Sequence, residues 1–172
     1  MTFDIPTIET KRLRLRAARA SDLDVVAEFF SVERSRFVGG PKDRFDSWRS
    51  MCNGLGQWAL RGYGLWHAEE IATGAVVGCT GIFHPDGWPE PELGYHLFNG
   101  FERQGFAFEM AEAARDYACI HQGLCGLVSL IQPSNSTSIR LAEKLGAAYE
   151  GDKDVFGIPC HVYRHQSPEA AQ

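Results

Sequence analysis

The densest group of residues able to do chemistry lies between Glu92 and Ala107, in the string Glu-Leu-Gly-Tyr-His-Leu-Phe followed by Asn-Gly-Phe-Glu-Arg-Gln-Gly-Phe-Ala. As a strand, the first seven residues put Glu92, Gly94 and His96 on one face. A carboxylate and an imidazole flanking a glycine leave a pocket with room for a substrate, and Glu92 is the first candidate for a general base, directly or through water. His96 is the second candidate, although a lone histidine as readily packs. The remaining residues form a small-residue loop opening a helix, where unpaired N–H groups and the positive end of the macrodipole favour an anion, above all a phosphate. Arg103, Gln104, Gly105, Phe106 and Ala107 make up this candidate cradle, and Gly105 and Ala107 leave its amides open. One glycine before a helix describes a plain structural turn equally well.

Other candidates lie outside this string. Asn135 and Ser138 stand where a second helix begins, and either can cap its amides. Trp88, in the loop just ahead of Glu92, and Phe37, just ahead of Gly39-Gly40, are candidate walls of a substrate pocket, because loops carry much of a protein's binding surface. The five cysteines form no CxxC pair and read as reduced, mostly buried thiols, none arranged as a Cys–His nucleophile. His161 and His165 are four apart with no second ligand pair, so no metal site is expected.

The elements that position these residues follow from periodicity. Leu13 and Leu15 alternate with arginines as a half-buried strand, and Leu23, Val26, Ala27 and Phe30 recur at helical spacing behind Ser21-Asp22. A second helix is expected over Asp43 to Leu60, then strands Gly64 to Ile71 and Ala75 to His84 around a turn at Ala72-Thr73-Gly74. After the strand Glu92 to Phe98 come a helix from Gly105 to His121, a strand from Leu124 to Ile131 and a helix from Asn135 to Leu145 closed by Gly146. Strands near Ala147 to Gly151 and Ile158 to His165 finish the chain. This order implies an α/β (α+β) fold with helices covering a central sheet.

The 172 residues fit one domain over 1–172, with a core at about 10–165 and a flexible tail over 166–172. Net charge is −5, which argues against a nucleic-acid binder that relies on a broad basic face. No apolar run approaches the ~20 residues that cross a bilayer, and the first residues do not read as a secretory signal. We expect a cytoplasmic protein with no membrane partner; a homodimer stays open.

Glu92 to Ala107 resembles the cofactor-binding motif of the GNAT acetyltransferases, whose loop is usually written Gln/Arg-x-x-Gly-x-Gly/Ala and is here Glu102-Arg-Gln-Gly-Phe-Ala107. Gln132-Pro-Ser-Asn-Ser-Thr-Ser-Ile-Arg140 with Glu143-Lys-Leu-Gly146 is similar to the family's second motif. With Thr10 to Arg16, these motifs point to the branch of the ribosomal-protein N-terminal acetyltransferases. The resemblance implies a mixed sheet of about six to seven strands with about four helices, and acetyl-CoA as cosubstrate. It further implies direct acetyl transfer to a primary amine of a protein N-terminus or small metabolite. A silent acyl-CoA-binding or partner-interaction module with the same fold is the alternative. By the same resemblance, amides from Arg103 to Ala107 bind the pyrophosphate, and Leu97 and Phe98 pair their backbone with the pantetheine arm. Asn135 lies near that arm, and a bulge interrupts the strand. Glu102 departs from the usual Gln or Arg, so it is expected to face solvent while Arg103 supplies the positive charge. The tyrosine that many members use as acid falls at Ala142, leaving Ser138 as the candidate donor.

Overall fold

The structure, a computed structural model, describes residues 4–168. The expected tail therefore lies outside the described residues at 169–172.

Eight strands form one sheet in the order β1-β2-β3-β4-β5-β6-β8-β7. They are β1 (Ile8–Glu9), β2 (Leu13–Arg16), β3 (Leu65–Glu70), β4 (Val76–Phe83), β5 (Glu92–Leu97), β6 (Val128–Ile131), β7 (Ala148–Val155) and β8 (Ile158–Arg164). The helices are α1 (Leu23–Phe30), α2 (Arg44–Arg61), α3 (Phe106–Gln122) and α4 (Ser136–Lys144), and a 3-10 segment, Glu33–Val38, follows α1. The strand count exceeds the expected six to seven. Two-residue β1 is too short to carry a periodic signal, and β7 runs on to Val155, where Phe156 and Gly157, at φ of 52° and 83°, turn it into β8. Strand β6 is half its expected length, because Gly123 and Gly126 take positive φ and hold the chain in turns until Leu127.

Every neighbouring pair of strands is antiparallel except β5 and β6, which run parallel and touch at a single bridge, Glu92↔Val128. Beyond that bridge the two strands diverge, and a gap opens along β5.

The alternation in β2 sends Leu13 and Leu15 into a core with Trp66, Ile82 and Leu93, and α3 covers them with Met110, Ala111, Ala114 and Ala118. On the opposite face α1 and α2 pack Val26, Phe29, Phe30 and Met51 against Cys79 and Phe98. Each fully buried aliphatic or aromatic side chain contributes roughly 1.5–3 kcal/mol, which makes α3 and the α1–α2 pair the two clamps on the sheet. Beneath α1, buried Asp22 accepts from Arg16 at 2.9 and 3.0 Å, from the Arg19 N–H at 2.9 Å, and pairs with His67 at 2.7 Å. Although burial opposes it, this hydrogen bonding holds the Asp22 carboxyl well below its ordinary range.

The expectation of reduced thiols fails for one pair. Cys119 and Cys125 are bonded to each other where Gly123, in the left-handed region, ends α3 and folds the chain back. Cys79 and Cys160 are buried free thiols and Cys52 is exposed.

Candidate active site

Strand β5 carries the site. Its register with β4 runs without interruption from Phe83↔Glu92 to Gly78↔Leu97, so the expected bulge is absent and Glu92, Gly94 and His96 do share a face. Backbone groups in an antiparallel ladder alternate sides. Because the Phe98 N–H donates to the Val77 carbonyl at 2.9 Å, residues 92, 94 and 96 bond to β4, and Tyr95 and Leu97 turn their N–H and C=O toward the gap. This narrows one expectation: the Phe98 N–H is committed to β4 and its side chain is buried, while the Tyr95 backbone and the Leu97 N–H face the gap.

Glu92, Gly94, Tyr95, His96, Trp88 and Phe37 line one cavity of about 1140 Å³, closed on its other sides by α2 and by the β7–β8 turn with Phe156. Sequence positions 37 and 88 thus become two parts of the same wall. Glu92 is held from two sides. Trp88 Nε1 donates to Oε2 at 2.9 Å and the Leu130 N–H donates to Oε1 at 3.1 Å. Burial outweighs both bonds and pushes the carboxyl up to about 7. A carboxylate that changes charge near neutrality, facing a cavity, has the property a general base needs. Trp88 is itself fixed by edge contact with Phe83 at 5.0 Å and by Phe156 at 5.8 Å.

His96 is brought to the same cavity, where its surroundings make it a weak base. Its ring stacks on Phe29 with centroids 4.8 Å apart, and burial, with His67, Arg34 and Lys42 adding, drives its pKa down to about 3. Ser138 does not line the cavity. Its N–H is capped by Asn135 Oδ1 at 3.3 Å and its carbonyl accepts from the Tyr95 hydroxyl at 3.1 Å. Asn135 is therefore the N-cap of α4. Tyr95, which sequence reasoning does not single out, spans the gap from β5 to α4 and puts a hydroxyl there. Ala142 is buried against Ile131, Ala147 and Tyr163.

The loop expected to cradle a phosphate opens α3 with its first amides bare. Gly105 is the N-cap of α3 at φ 81° with no side-chain cap, and the first helical bond runs from the Glu109 N–H to the Gly105 carbonyl. The amides of Phe106, Ala107 and Phe108 are left without backbone acceptors. A Cβ at Gly105 would sit 3.3 Å from Arg12 Nη2, and the positive φ there disfavours any side chain. Arg103, at φ 62°, and Gln104 are exposed on the loop. Glu102 does not simply face solvent: it pairs with Arg34 at 2.8 Å and accepts from the Gly100 N–H at 2.9 Å.

Two arginines that no local signal marks hold these parts together. Arg12 donates from Nε to Glu109 Oε2 at 2.7 Å and from Nη1 to the Gln104 carbonyl at 2.9 Å, and lies 4.5 Å over the Phe106 ring. Arg34 donates to the Leu97 carbonyl at 2.8 Å and to Asn99 Oδ1 at 3.1 Å, tying the segment that bears Phe37 to the end of β5. Among the described residues, no group of three or more His, Cys, Asp or Glu is placed to hold a metal ion.

Comparison with known proteins agrees with this architecture. The family model of an acetyltransferase (GNAT) domain matches residues 12–148. The uncharacterized protein YkkB of Bacillus subtilis is 31% identical over 164 residues, covering 92% of this chain and 94% of that one. An acetyltransferase of Agrobacterium tumefaciens superposes with a TM-score of 0.88 at 35% identity, covering 97% of this chain and 98% of that one. A ribosomal L7/L12 α-N-protein acetyltransferase, solved in complex with coenzyme A, shares the fold at a TM-score of 0.75 and 16% identity, over 94% of this chain and 98% of that one. The splayed β5–β6 pair, the bare helix start and the matched domain together place the chain in the GNAT acetyltransferase family, as an N-acetyltransferase.

Proposed function

We propose that the protein transfers the acetyl group of acetyl-CoA directly to a primary amine held in the 1140 Å³ cavity, with Glu92 as the base. The observation that carries this reading is Glu92 itself, a half-buried carboxyl at the head of β5, held by Trp88 and the Leu130 N–H and opening onto that cavity, where desolvation pushes it up to about 7. Acetyl-CoA supplies the acetyl group as a thioester already activated toward an amine. The residues present fit it. The amides of Phe106, Ala107 and Phe108 hold the pyrophosphate, with Arg103 adding charge at the rim, and the outward backbone of Tyr95 and the Leu97 N–H bind the pantetheine arm along the gap. Glu92 accepts the proton that the amine loses on attack. The Tyr95 hydroxyl is spent on the Ser138 carbonyl; a thiolate leaves readily near neutral pH, so a dedicated proton donor to the sulfur is not required.

The test is calorimetric titration with acetyl-CoA, using CoA and ATP as controls, followed by an amine panel. Saturable binding of acetyl-CoA and CoA, with ATP inert, is the expected result. A folded protein that binds neither thioester nor thiol makes the loop at 102–107 a structural turn and ends this reading. Arg12→Gln gives a finer check. Losing its bond to the Gln104 carbonyl and its pairing with Glu109 loosens the cradle without touching Glu92, so KM for acetyl-CoA rises by about tenfold while kcat holds.

A further inference from the structure

The end of the cavity away from Glu92 carries positive charge that the proposed reaction leaves unused. Lys42 follows Pro41, and its backbone N–H is anchored to the Phe30 carbonyl at 2.9 Å. Its Nζ turns back over the Phe30 ring, 4.1 Å from the centroid, and donates to Ser50 Oγ at 2.9 Å. An ammonium has three N–H groups. Ser50 takes one, the ring face takes a second, and the third has no acceptor among the described residues. No carboxylate among them pairs with Nζ either; Asp46 acts only at a distance, and burial lowers the Lys42 pKa in spite of it. Arg36 is a second cation on the same wall. Its guanidinium lies 4.4 Å over the Phe37 ring, and its acidic neighbour, Glu33, is 3.8 Å away.

Position along the cavity follows from β5. Lys42 is on the Phe30 side, and the Phe30 ring meets His96 at 6.1 Å. Glu92 precedes His96 by four residues, a distance of about 13 Å along a strand. Asp86, in the loop that carries Trp88, also lines the cavity. A third lining cation, Arg61, acts on His84 and is not part of the Lys42 cluster. Between the two ends the walls carry Leu65, Cys79 and Leu130, with Asn53 and Gln57 of α2 also lining the cavity. The cavity thus has Glu92 and Asp86, with Arg61 near His84, toward one end, and Lys42 and Arg36 without a lining carboxylate toward the other.

We propose that Lys42 and Arg36 form an anion subsite in this cavity, so that the preferred acceptor is a small amphipathic amine carrying a carboxylate at a distance from its amino group, and not a polycation. The amine is delivered to Glu92 and the apolar body lies along the aromatic walls. The carboxylate takes the free Lys42 N–H as a charge-assisted bond. A second ammonium at that end would meet the unpaired Lys42, with Arg36 beside it only loosely paired to Glu33. This inference rests on the reading of the cavity as the acceptor site.

The experiment separates the two. The binding arm measures 4-methylbenzoate, an anion with no amine to acetylate, by calorimetry against CoA-saturated protein. Wild type binds it, and Lys42→Met, which keeps the apolar stem and removes the charge, weakens binding by about tenfold or more, the range for a hydrogen bond to a charged group. Arg36→Gln weakens it to a lesser degree. Unchanged CoA affinity in both variants shows that they are folded. The turnover arm compares 4-(aminomethyl)benzoate, 4-methylbenzylamine and 1,4-bis(aminomethyl)benzene as acceptors. The carboxylate compound leads in kcat/KM, the diamine trails, and Lys42→Met removes the lead while leaving the neutral amine unaffected. Equal binding of 4-methylbenzoate to wild type and Lys42→Met, or a preference for the diamine, overturns the subsite even if acetylation is confirmed. Lys42-dependent binding without turnover of any amine supports the subsite and counts against the acetyl-transfer reading.

Discussion

Glu92→Gln lowers kcat by roughly 100- to 10,000-fold, the usual contribution of a positioned general base, and leaves acetyl-CoA affinity unchanged. The reasoning is spatial: Glu92 faces the acceptor cavity, whereas the proposed cofactor contacts lie on the gap side of β5 and at the start of α3. The pH dependence carries the same information. With its pKa pushed up to about 7 by burial, Glu92 is protonated below that pH and cannot accept a proton. Wild-type kcat/KM therefore climbs as pH rises through about 7, and any further rise belongs to the amine's own ionisation. In Glu92→Gln the limb near 7 disappears. Glutamine has one carbonyl oxygen, so it can keep the bond from the Leu130 N–H or the one from Trp88, but not both. Glu92→Asp retains a carboxylate and serves as the companion variant; partial recovery of rate with the limb restored ties the loss to the carboxylate and not to Trp88. Full activity in Glu92→Gln would make Glu92 a structural clamp between Trp88 and β6. A wild type that binds acetyl-CoA and turns over no amine would instead favour the silent module.

The second large effect is expected at Gly105. Gly105→Val weakens acetyl-CoA binding by about 10- to 100-fold, in keeping with the loss of one or two charge-assisted bonds. Three causes converge. The residue sits at φ 81°, where a β-branched side chain is strained, and its Cβ would approach Arg12 Nη2 to 3.3 Å. The added methyls would also stand over the open amides of the first turn. Backbone strain alone cannot produce the affinity loss, and a control shows why. Gly62, the C-cap of α2, has φ 75° and nothing within 4 Å of the point where a Cβ would stand, so Gly62→Val carries similar strain far from the cradle. It lowers the melting temperature and leaves Kd for acetyl-CoA as it was. Equal Kd in Gly105→Val and wild type would remove the helix start from the cofactor site.

Much of this is written in local pattern. Alternation in Leu13 to Arg16 and in Glu92 to Phe98 tells which side chains share a face, because successive residues of a strand point to opposite sides whatever else the chain does. It puts Glu92, Gly94 and His96 together, and the uninterrupted register with β4 keeps them there in spite of the bulge that family resemblance implies. Helix starts at Asp43, Gly105 and Asn135 are equally legible, since capping is settled within three or four residues. Phe37 and Trp88 read as pocket walls from their loops, although nothing in their local sequence says that they share one pocket.

Packing governs the rest, wherever the deciding contact spans a long stretch of chain. Arg12 reaches Glu109 across 97 residues and Arg34 reaches Leu97 across 63, and no periodicity carries such a pairing. The roles of Glu92 and His96 separate for the same reason. Both are polar residues on one face of one strand, but Phe29 stacks on His96 and burial makes it a weak base, while Trp88 and Leu130 hold Glu92 at the edge of a cavity where burial brings its titration near neutrality. The order of residues alone is enough for the family and the succession of elements, and it singles out the carboxylate proposed as the base. Which backbone groups are free, which titratable group can work and what charge lines the far end of the pocket depend on neighbours brought in from other elements, because desolvation and electrostatic fields belong to the packed environment and not to the residue.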